Sequence, residues 1–336
     1  MRLLLIPDPT SPNGEDAFCR EIAKRAPGRG HEARVQVIPN APLHACLDQL
    51  NAGGFAKHAD LVVINSLQPA ALLAAKQAGA RAAVRLIDSF ANASTAALDE
   101  VKRFALQADL VLVPNRHLTE IVHGWGANGQ VHVVPYAYDR VMAQQIALVT
   151  VRASRNSFPL VACGPLDETT RSGFETLLTA LSQLRLDWHL NLVGEGPALG
   201  ALQTRVQQLM CADRVTFSPP MPHLKLMEFF RAAKAYIDPC GVDGYPALSL
   251  YSLSEGCPVI AVRRGAVKEL IRDGENGLLF NEGDTRALSE AVVTLWSVRG
   301  LSLTLIAEGI KTVGLHSWDR TVDAAFNAFE SLEAKP

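Results

Sequence analysis

The residues able to do chemistry sit at glycine turns that follow apolar runs. Gly14 follows MRLLLIPDP and a Pro-Asn pair and opens the helix-like stretch GEDAFCREIAKRA. Backbone N–H groups at such a helix start can face an anion such as a phosphate, and a plain strand-to-helix junction is the competing reading. Gly164 follows LVAC, and the loop PLDETTRSG runs from it into a helix at Phe174; Gly194-Glu195-Gly196-Pro197 follows LNLV. Both are strand-to-helix turns on the side where ligands bind in a doubly wound sheet. Neither is a Walker loop or a full G-x-G-x-x-G, so each alone is a weak phosphate signal. Gly265 precedes a short helix, and Gly274 and Gly277 read as a turn feeding a strand. Cys163, Cys240 and Cys257 stand beside strand ends, where a small apolar filler needs no further role. His31, His117, His123, His316 and Trp188 read as packing or surface groups.

These turns need elements to position them, and the chain supplies them rhythmically. LLLIP, ARVQVIP, LVVINS, AAVRLID, LVLVPN and VHVVPY alternate with amphipathic stretches, which indicates strand-helix repeats around a parallel sheet covered on both faces. The rhythm pauses between Val141 and Asn156. It resumes at FPLVACG and continues through HLNLVGEGP, DRVTFSPP, KAYIDPC, PVIAV and GLLFN. The 336 residues suit two such domains. The expected division is 1–150, 151–315 and a tail, 316–336, whose Val322, Phe326 and Phe329 form a helical apolar stripe.

Charge narrows the partners. With 32 basic against 34 acidic side chains the formal charge is −2, which argues against a nucleic-acid surface. Six scattered cysteines without a C-x-x-C indicate neither a zinc site nor a disulfide framework and fit a reducing cytoplasm. The opening apolar stretch is too short for a signal peptide, and no window supplies the ~20 apolar residues of a membrane span.

Read in order, GEGP, DRVTF, YIDPC, DGYPALSLYSLSEGCPVIA, KELIRDGENGLLFNEGD and a tail helix introduced by HSW resemble glycosyltransferase family 4. In the first half GRGHEARV, ADLVVINS, ADLVLVPN and VHVVPYAYD resemble that family's successive segments, so the likeness spans nearly the whole chain. It implies an α/β GT-B fold: two doubly wound Rossmann-like domains facing a central cleft. The first domain would present the acceptor, the second would hold a nucleotide-diphosphate sugar of UDP, GDP or ADP type, and the last helix would cross back. A retaining, metal-independent transfer to a glycan, lipid or small-molecule acceptor is implied. The location would be cytoplasmic, with peripheral contact at the inner face of the membrane, or with a protein partner, left open.

Matched residue by residue, the chain departs from the family. The two glutamates spaced eight apart fall on Asp243 and Tyr251. The first can still accept a sugar hydroxyl; the second replaces a two-oxygen ribose acceptor with a phenol. The arginine and lysine that meet the diphosphate fall on Pro165 and Ser172, with Arg171 adjacent as a substitute. A first-domain histidine falls on Ile87, next to Asp88. The resemblance therefore casts Asp243, Asp88 and Arg171 as catalytic candidates, and Gly14, Gly164, Ser172, Gly194, Glu195, Gly244, Tyr245 and Tyr251 as donor-side candidates. Because the donor-site Glu, Arg and Lys are replaced, a catalytically silent GT-B binding or scaffolding protein is the alternative. Arg263 and Arg264 are the remaining candidates for a phosphate or an anionic membrane surface.

Overall fold

Short apolar runs bounded by turn residues bury both faces only inside a parallel sheet sheathed by helices, and that is what forms, twice. The computed structural model describes residues 1–8, 16–38, 42–52, 58–87, 94–127, 130–138, 158–241 and 244–332. The chain divides into Met1–Ala137 with Trp318–Pro336, and Tyr138–Ser317. The segment expected to link the domains lies outside the described residues.

The first unit runs β1 (Arg2–Ile6), α1 (Ala17–Arg25), β2 (Glu32–Val35), α2 (Leu43–Ala52), β3 (Leu61–Ile64), α3 (Pro69–Gln77), β4 (Arg81–Arg85), α4 (Thr95–Gln107), β5 (Leu110–Val113), α5 (Arg116–Gly124) and β6 (Gln130–Val133). Its sheet order is β2-β1-β3-β4-β5-β6, all parallel. Every residue of β3 and β5 is buried, as an interior parallel strand requires. The order reverses between β1 and β3, so their carboxyl ends splay apart.

The second unit runs β7 (Phe158–Cys163), α6 (Glu168–Ser182), β8 (Trp188–Val193), α7 (Leu199–Gln208), β9 (Val215–Ser218), α8 (His223–Ala232), β10 (Ala235–Asp238), α9 (Ala247–Ser254), β11 (Val259–Val262), α10 (Val267–Leu270), β12 (Leu278–Phe280), α11 (Thr285–Ser297) and α12 (Leu301–Gly314). Its order is β12-β11-β10-β7-β8-β9, again all parallel, with the reversal between β7 and β10. Trp188, Phe174 and the leucines of α6 fill one face of this sheet; Tyr236, Phe230 and Met227 fill the other.

The last helix, α13 (Trp318–Ser331), belongs to the first unit. Val322, Phe326 and Phe329 are fully buried against Leu3, Leu5, Leu61 and Val63, each such side chain removing apolar area that contributes about 1.5–3 kcal/mol. At its rim Arg25 meets Asp319 at 3.2 Å, Arg29 meets Asp323, and His31 stacks on Phe326 while bonding Glu330 at 3.1 Å.

Candidate functional site

In the second unit the turns after β7 and β8 are built as one piece. The Leu166 N–H donates to the Glu195 carbonyl at 2.9 Å, the Ala198 N–H donates to the Leu166 carbonyl at 2.8 Å, and the Gly164 N–H donates to the Val193 carbonyl at 3.1 Å. So close an approach leaves no room for side chains. A Cβ on Gly194 would lie 2.1 Å from the Gly164 carbonyl oxygen, and one on Gly196, whose φ is +147°, 2.3 Å from that of Leu166. Two of the glycines that read as a phosphate signal are therefore required by the interlock itself. Gly164 differs: its Cβ would make only ordinary contact with the Phe174 ring at 3.4 Å. Beside the interlock lies an open depression of about 450 Å³, lined by Gly164, Pro165, Gly194, Glu195, Met221 and Leu226. Glu195 is exposed at its edge.

The start of α6 carries its own anion. Asp167 caps it, accepting from the N–H groups of Thr169 at 2.9 Å and Thr170 at 3.1 Å, while the Thr170 hydroxyl faces back to the Asp167 N–H at 3.2 Å. The Thr169 hydroxyl and these N–H groups hold the Asp167 carboxyl below its ordinary range. An incoming phosphate would meet an occupied helix start. One turn on, Arg171 is shared between Glu175 at 2.8 Å and Glu168 at 3.4 Å, and these carboxylates raise its pKa. Ser172 is exposed beside it. The inner side of this turn packs on the loop after β10: the Cys240 thiol reaches the Thr170 carbonyl at 3.4 Å, and a Cβ on Gly173 would lie 2.5 Å from the Pro239 carbonyl oxygen.

That loop leads into α9. Asp238, buried at the end of β10, accepts from the N–H groups of Cys240 at 3.2 Å and Gly241 at 3.0 Å; burial pushes its carboxyl up, and the two N–H groups oppose the rise. Asp243 lies outside the described residues, as do Gly14 and Asp88. Gly244 is buried, and Tyr245 is half-buried with its hydroxyl 3.1 Å from His316 Nδ1. Unlike α6, α9 starts at Pro246 with no side-chain cap. Like α7 and α8, which also lack a side-chain cap, it leaves first-turn N–H groups without a side-chain acceptor, where an anion can bind, although the Ala247 N–H donates to the Tyr245 carbonyl at 2.8 Å. Tyr251, one turn further, packs at 5.3 Å from Tyr138 and edge-on at 4.8 Å to His223, whose pKa burial lowers. Gly164, Gly194 and Glu195 come together at the depression; Tyr245, just before α9, is held by His316, and Tyr251, on α9, by Tyr138 and His223. Arg263 and Arg264 are each paired, with Asp273 at 2.5 Å and Glu282 at 2.9 Å.

The first unit holds a polar group that no motif signals. At the carboxyl ends of β1, β3 and β4, the Asp16 carboxylate caps α1, accepting from Phe18 N–H at 2.8 Å and Cys19 N–H at 3.2 Å, and it also accepts from Asn65 Nδ2. Arg85 donates to Asn65 Oδ1 at 3.0 Å and lies 4.1 Å above the Phe18 ring. Asp16, Asn65 and Arg85 are all buried; desolvation lowers the Arg85 pKa, and the Asp16 charge opposes it. Nearby, Gln68 ties Ser66 at 2.9 Å to the Pro7 carbonyl at 3.0 Å. The only sequence signals were an aspartate just before a helix and an arginine ending an apolar strand. The α1 start expected to face an anion is thus already occupied by Asp16.

Comparison with known proteins adds to this geometry. The family described as "Glycosyl transferases group 1" matches residues 157–297, which contain the depression, α6 and α9. The D-inositol 3-phosphate glycosyltransferase of Acidothermus cellulolyticus is 32% identical over 179 residues, 51% of this chain and 39% of that protein. The GDP-mannose-dependent alpha-(1-6)-phosphatidylinositol monomannoside mannosyltransferase of Mycolicibacterium smegmatis is 32% identical over 132 residues, 36% of this chain and 35% of that protein. The matched stretch spans less than half the length of either relative. Among solved structures, sucrose-phosphate synthase from Thermosynechococcus elongatus superposes with a TM-score of 0.73 at 19% identity, covering 99% of both chains. Anabaena HepE in complex with UDP gives 0.73 at 18% identity, covering 98% of this chain and 99% of that one. At such identities the likeness is one of fold.

Proposed function

We infer that this chain, a GT-B protein whose second unit carries a glycosyl transferases group 1 domain, transfers a sugar from a nucleotide-diphosphate sugar to a hydroxyl acceptor. The carrying observation is that the family match, residues 157–297, contains both the sheet reversal between β7 and β10 and the open depression at the carboxyl ends of β7, β8 and β9. Doubly wound sheets bind ligands at that end. The solved relative with UDP and the GDP-mannose-dependent relative make UDP- and GDP-sugars the first donors to consider.

In this reading the acceptor oxygen bonds to the anomeric carbon as the bond to the diphosphate breaks. Attack comes from the face the diphosphate leaves, and the acceptor proton passes to the departing phosphate oxygen. The uncapped start of α9 stabilises the charge that develops there. Arg171 adds a cation after giving up Glu168 or Glu175. Asp243 orients the sugar, Asp88 meets the sugar or the acceptor, and the Tyr251 phenol hydrogen-bonds the ribose. The chemistry is that of glycosyltransferase family 4, proceeds with retention and uses no metal. The acceptor class is inositol-type or glycan, after the curated relatives.

The test is direct: the purified chain with UDP-, GDP- and ADP-sugars, offered inositol phosphates, phosphatidylinositol and glycans, with products read by mass spectrometry. A glycosylated product from one donor class is expected, unchanged by EDTA. Neither transfer nor donor hydrolysis with any donor would reject the reading in favour of a silent binding module.

A further inference from the structure

Where α11 and α12 meet, their outward side chains are apolar where a helix of a water-facing unit is normally polar, and the exposed charges, Arg286, Glu290 and Lys311, lie toward the far ends of the two helices. Their inward residues Leu288, Val292, Leu295 and Leu305 are in the core. Outward, Val293 is 37% exposed, Trp296 57%, Val298 50%, Leu303 65% and Ile310 50%. Leu303, Ala307, Ile310 and Gly314 follow one another at helical spacing on α12, and all are exposed. Charge is almost absent: between Glu290 and Glu308 the sole charged residue is Arg299. Glu290 and Glu308 are themselves paired, with Arg286 at 2.8 Å and Lys311 at 2.5 Å. Arg299 forms no ion pair among the described residues.

The two helices together have the length and apolarity of a membrane segment, yet they bend by 102° at their junction. Among the described residues no single helix is long and apolar enough to cross a membrane. The apex of the bend, Val298-Arg299-Gly300, is wholly exposed, with Gly300 at φ +86° making the turn. An exposed apolar bend that carries tryptophan and a lone cation, between helices each too short to span, has the make-up of a segment that lies in a lipid interface.

We propose that the α11–α12 corner is a docking surface for an anionic lipid bilayer, with Trp296, Val298 and Leu303 inserted at headgroup depth and Arg299 meeting lipid phosphate. Two features favour lipid over a second copy of the chain. The exposed apolar side chains amount to on the order of 500 Å², short of the roughly 800 Å² per partner of a stable interface. The one charge at the apex is positive, so two copies would bring like charges together, whereas phosphatidylglycerol or phosphatidylinositol headgroups complement it. Apolar insertion supplies most of the attraction and the arginine supplies the preference for anionic lipid.

The experiment is flotation of the full chain with vesicles of phosphatidylcholine, with or without phosphatidylglycerol, together with tryptophan emission. The wild type should float with the mixed vesicles and shift its emission to the blue. W296Q/L303Q, at two exposed positions outside the donor site, should lower the bound fraction about tenfold with unchanged circular dichroism. Arg299→Glu should abolish the preference for phosphatidylglycerol, a readout that does not depend on the double variant. Absence of flotation, flotation equal in wild type and W296Q/L303Q, or a concentration-dependent dimer lost in W296Q/L303Q without flotation would each overturn the proposal.

Discussion

Asp243 and Tyr251 have unequal work in the proposed transfer, and the difference can be measured. A carboxylate that orients the sugar strengthens as charge develops, so Asp243→Ala should lower kcat/KM by about 100-fold, near 3 kcal/mol, with thermal stability little changed. Arg171→Ala should cost less, about tenfold, because its guanidinium is already shared by Glu168 and Glu175. Tyr251→Phe keeps the packing on Tyr138 and His223 and removes only the hydroxyl, so nucleotide affinity should fall about three- to tenfold in calorimetry; unaltered affinity would assign the ring to packing alone. A stability prediction concerns Glu255, whose side chain is fully buried and paired with Arg231. Burial raises its pKa above the ordinary 4.5, and Arg231 opposes the rise. A raised carboxyl contributes stability that is complete below the unfolded value and lost as pH climbs through the folded one. Arg231→Ala should widen that loss, costing about 1–3 kcal/mol at about pH 7.5 and less at about pH 5 in urea titrations. Equal costs at both pH values would contradict this. Positions 243 and 251 can be named as candidates from sequence because they sit in one continuous motif. The Asp16–Asn65–Arg85 group was not, since its members end three different segments and meet only once the sheet order is fixed.

At the scale of elements, the strand-to-helix turns separate glycines kept for packing from those kept for conformation. Gly194→Ala and Gly196→Ala should destabilise the second unit by about 2–4 kcal/mol, since each Cβ meets a carbonyl oxygen that cannot withdraw without breaking the interlock. Gly200→Ala, in open space within α7, should be neutral or stabilising by about 0.5–1 kcal/mol. Urea midpoints compare all three; equal costs would contradict the interlock. The strands of both sheets could be read from short apolar runs between turn residues. What the pattern could not supply was how the turns engage one another: GEGP reads equally well as a phosphate cradle and as a backbone lock. Nor could the capping of α6 by Asp167, and the lack of a side-chain cap on α9, be judged before the helix starts were fixed to the residue.

At the scale of the whole molecule, two parallel sheets with different strand orders are each built on local β-α repeats, which is why the α/β GT-B class was readable from rhythm and motif order together. The return of α13 to the first unit rests on a stripe of three apolar positions, Val322, Phe326 and Phe329, all fully buried. Deletion of 318–336 should therefore expose Leu3, Leu5 and Leu61 and unfold the first unit while the second keeps its protected amides in hydrogen exchange. The central claim, that a nucleotide-diphosphate sugar binds at the carboxyl ends of β7, β8 and β10, is tested most directly by a thermal-shift screen of the full chain against UDP, GDP, ADP and TDP and their sugar conjugates. Hydrogen exchange on any hit then locates the protected amides. A ligand at about 100 times its Kd adds about 2.7 kcal/mol, a shift of a few degrees. The account predicts such a shift for one base, with protection concentrated at residues 164–166, 194–196 and the start of α9. No shift with any nucleotide at millimolar concentration, or protection confined to the first unit, would contradict it.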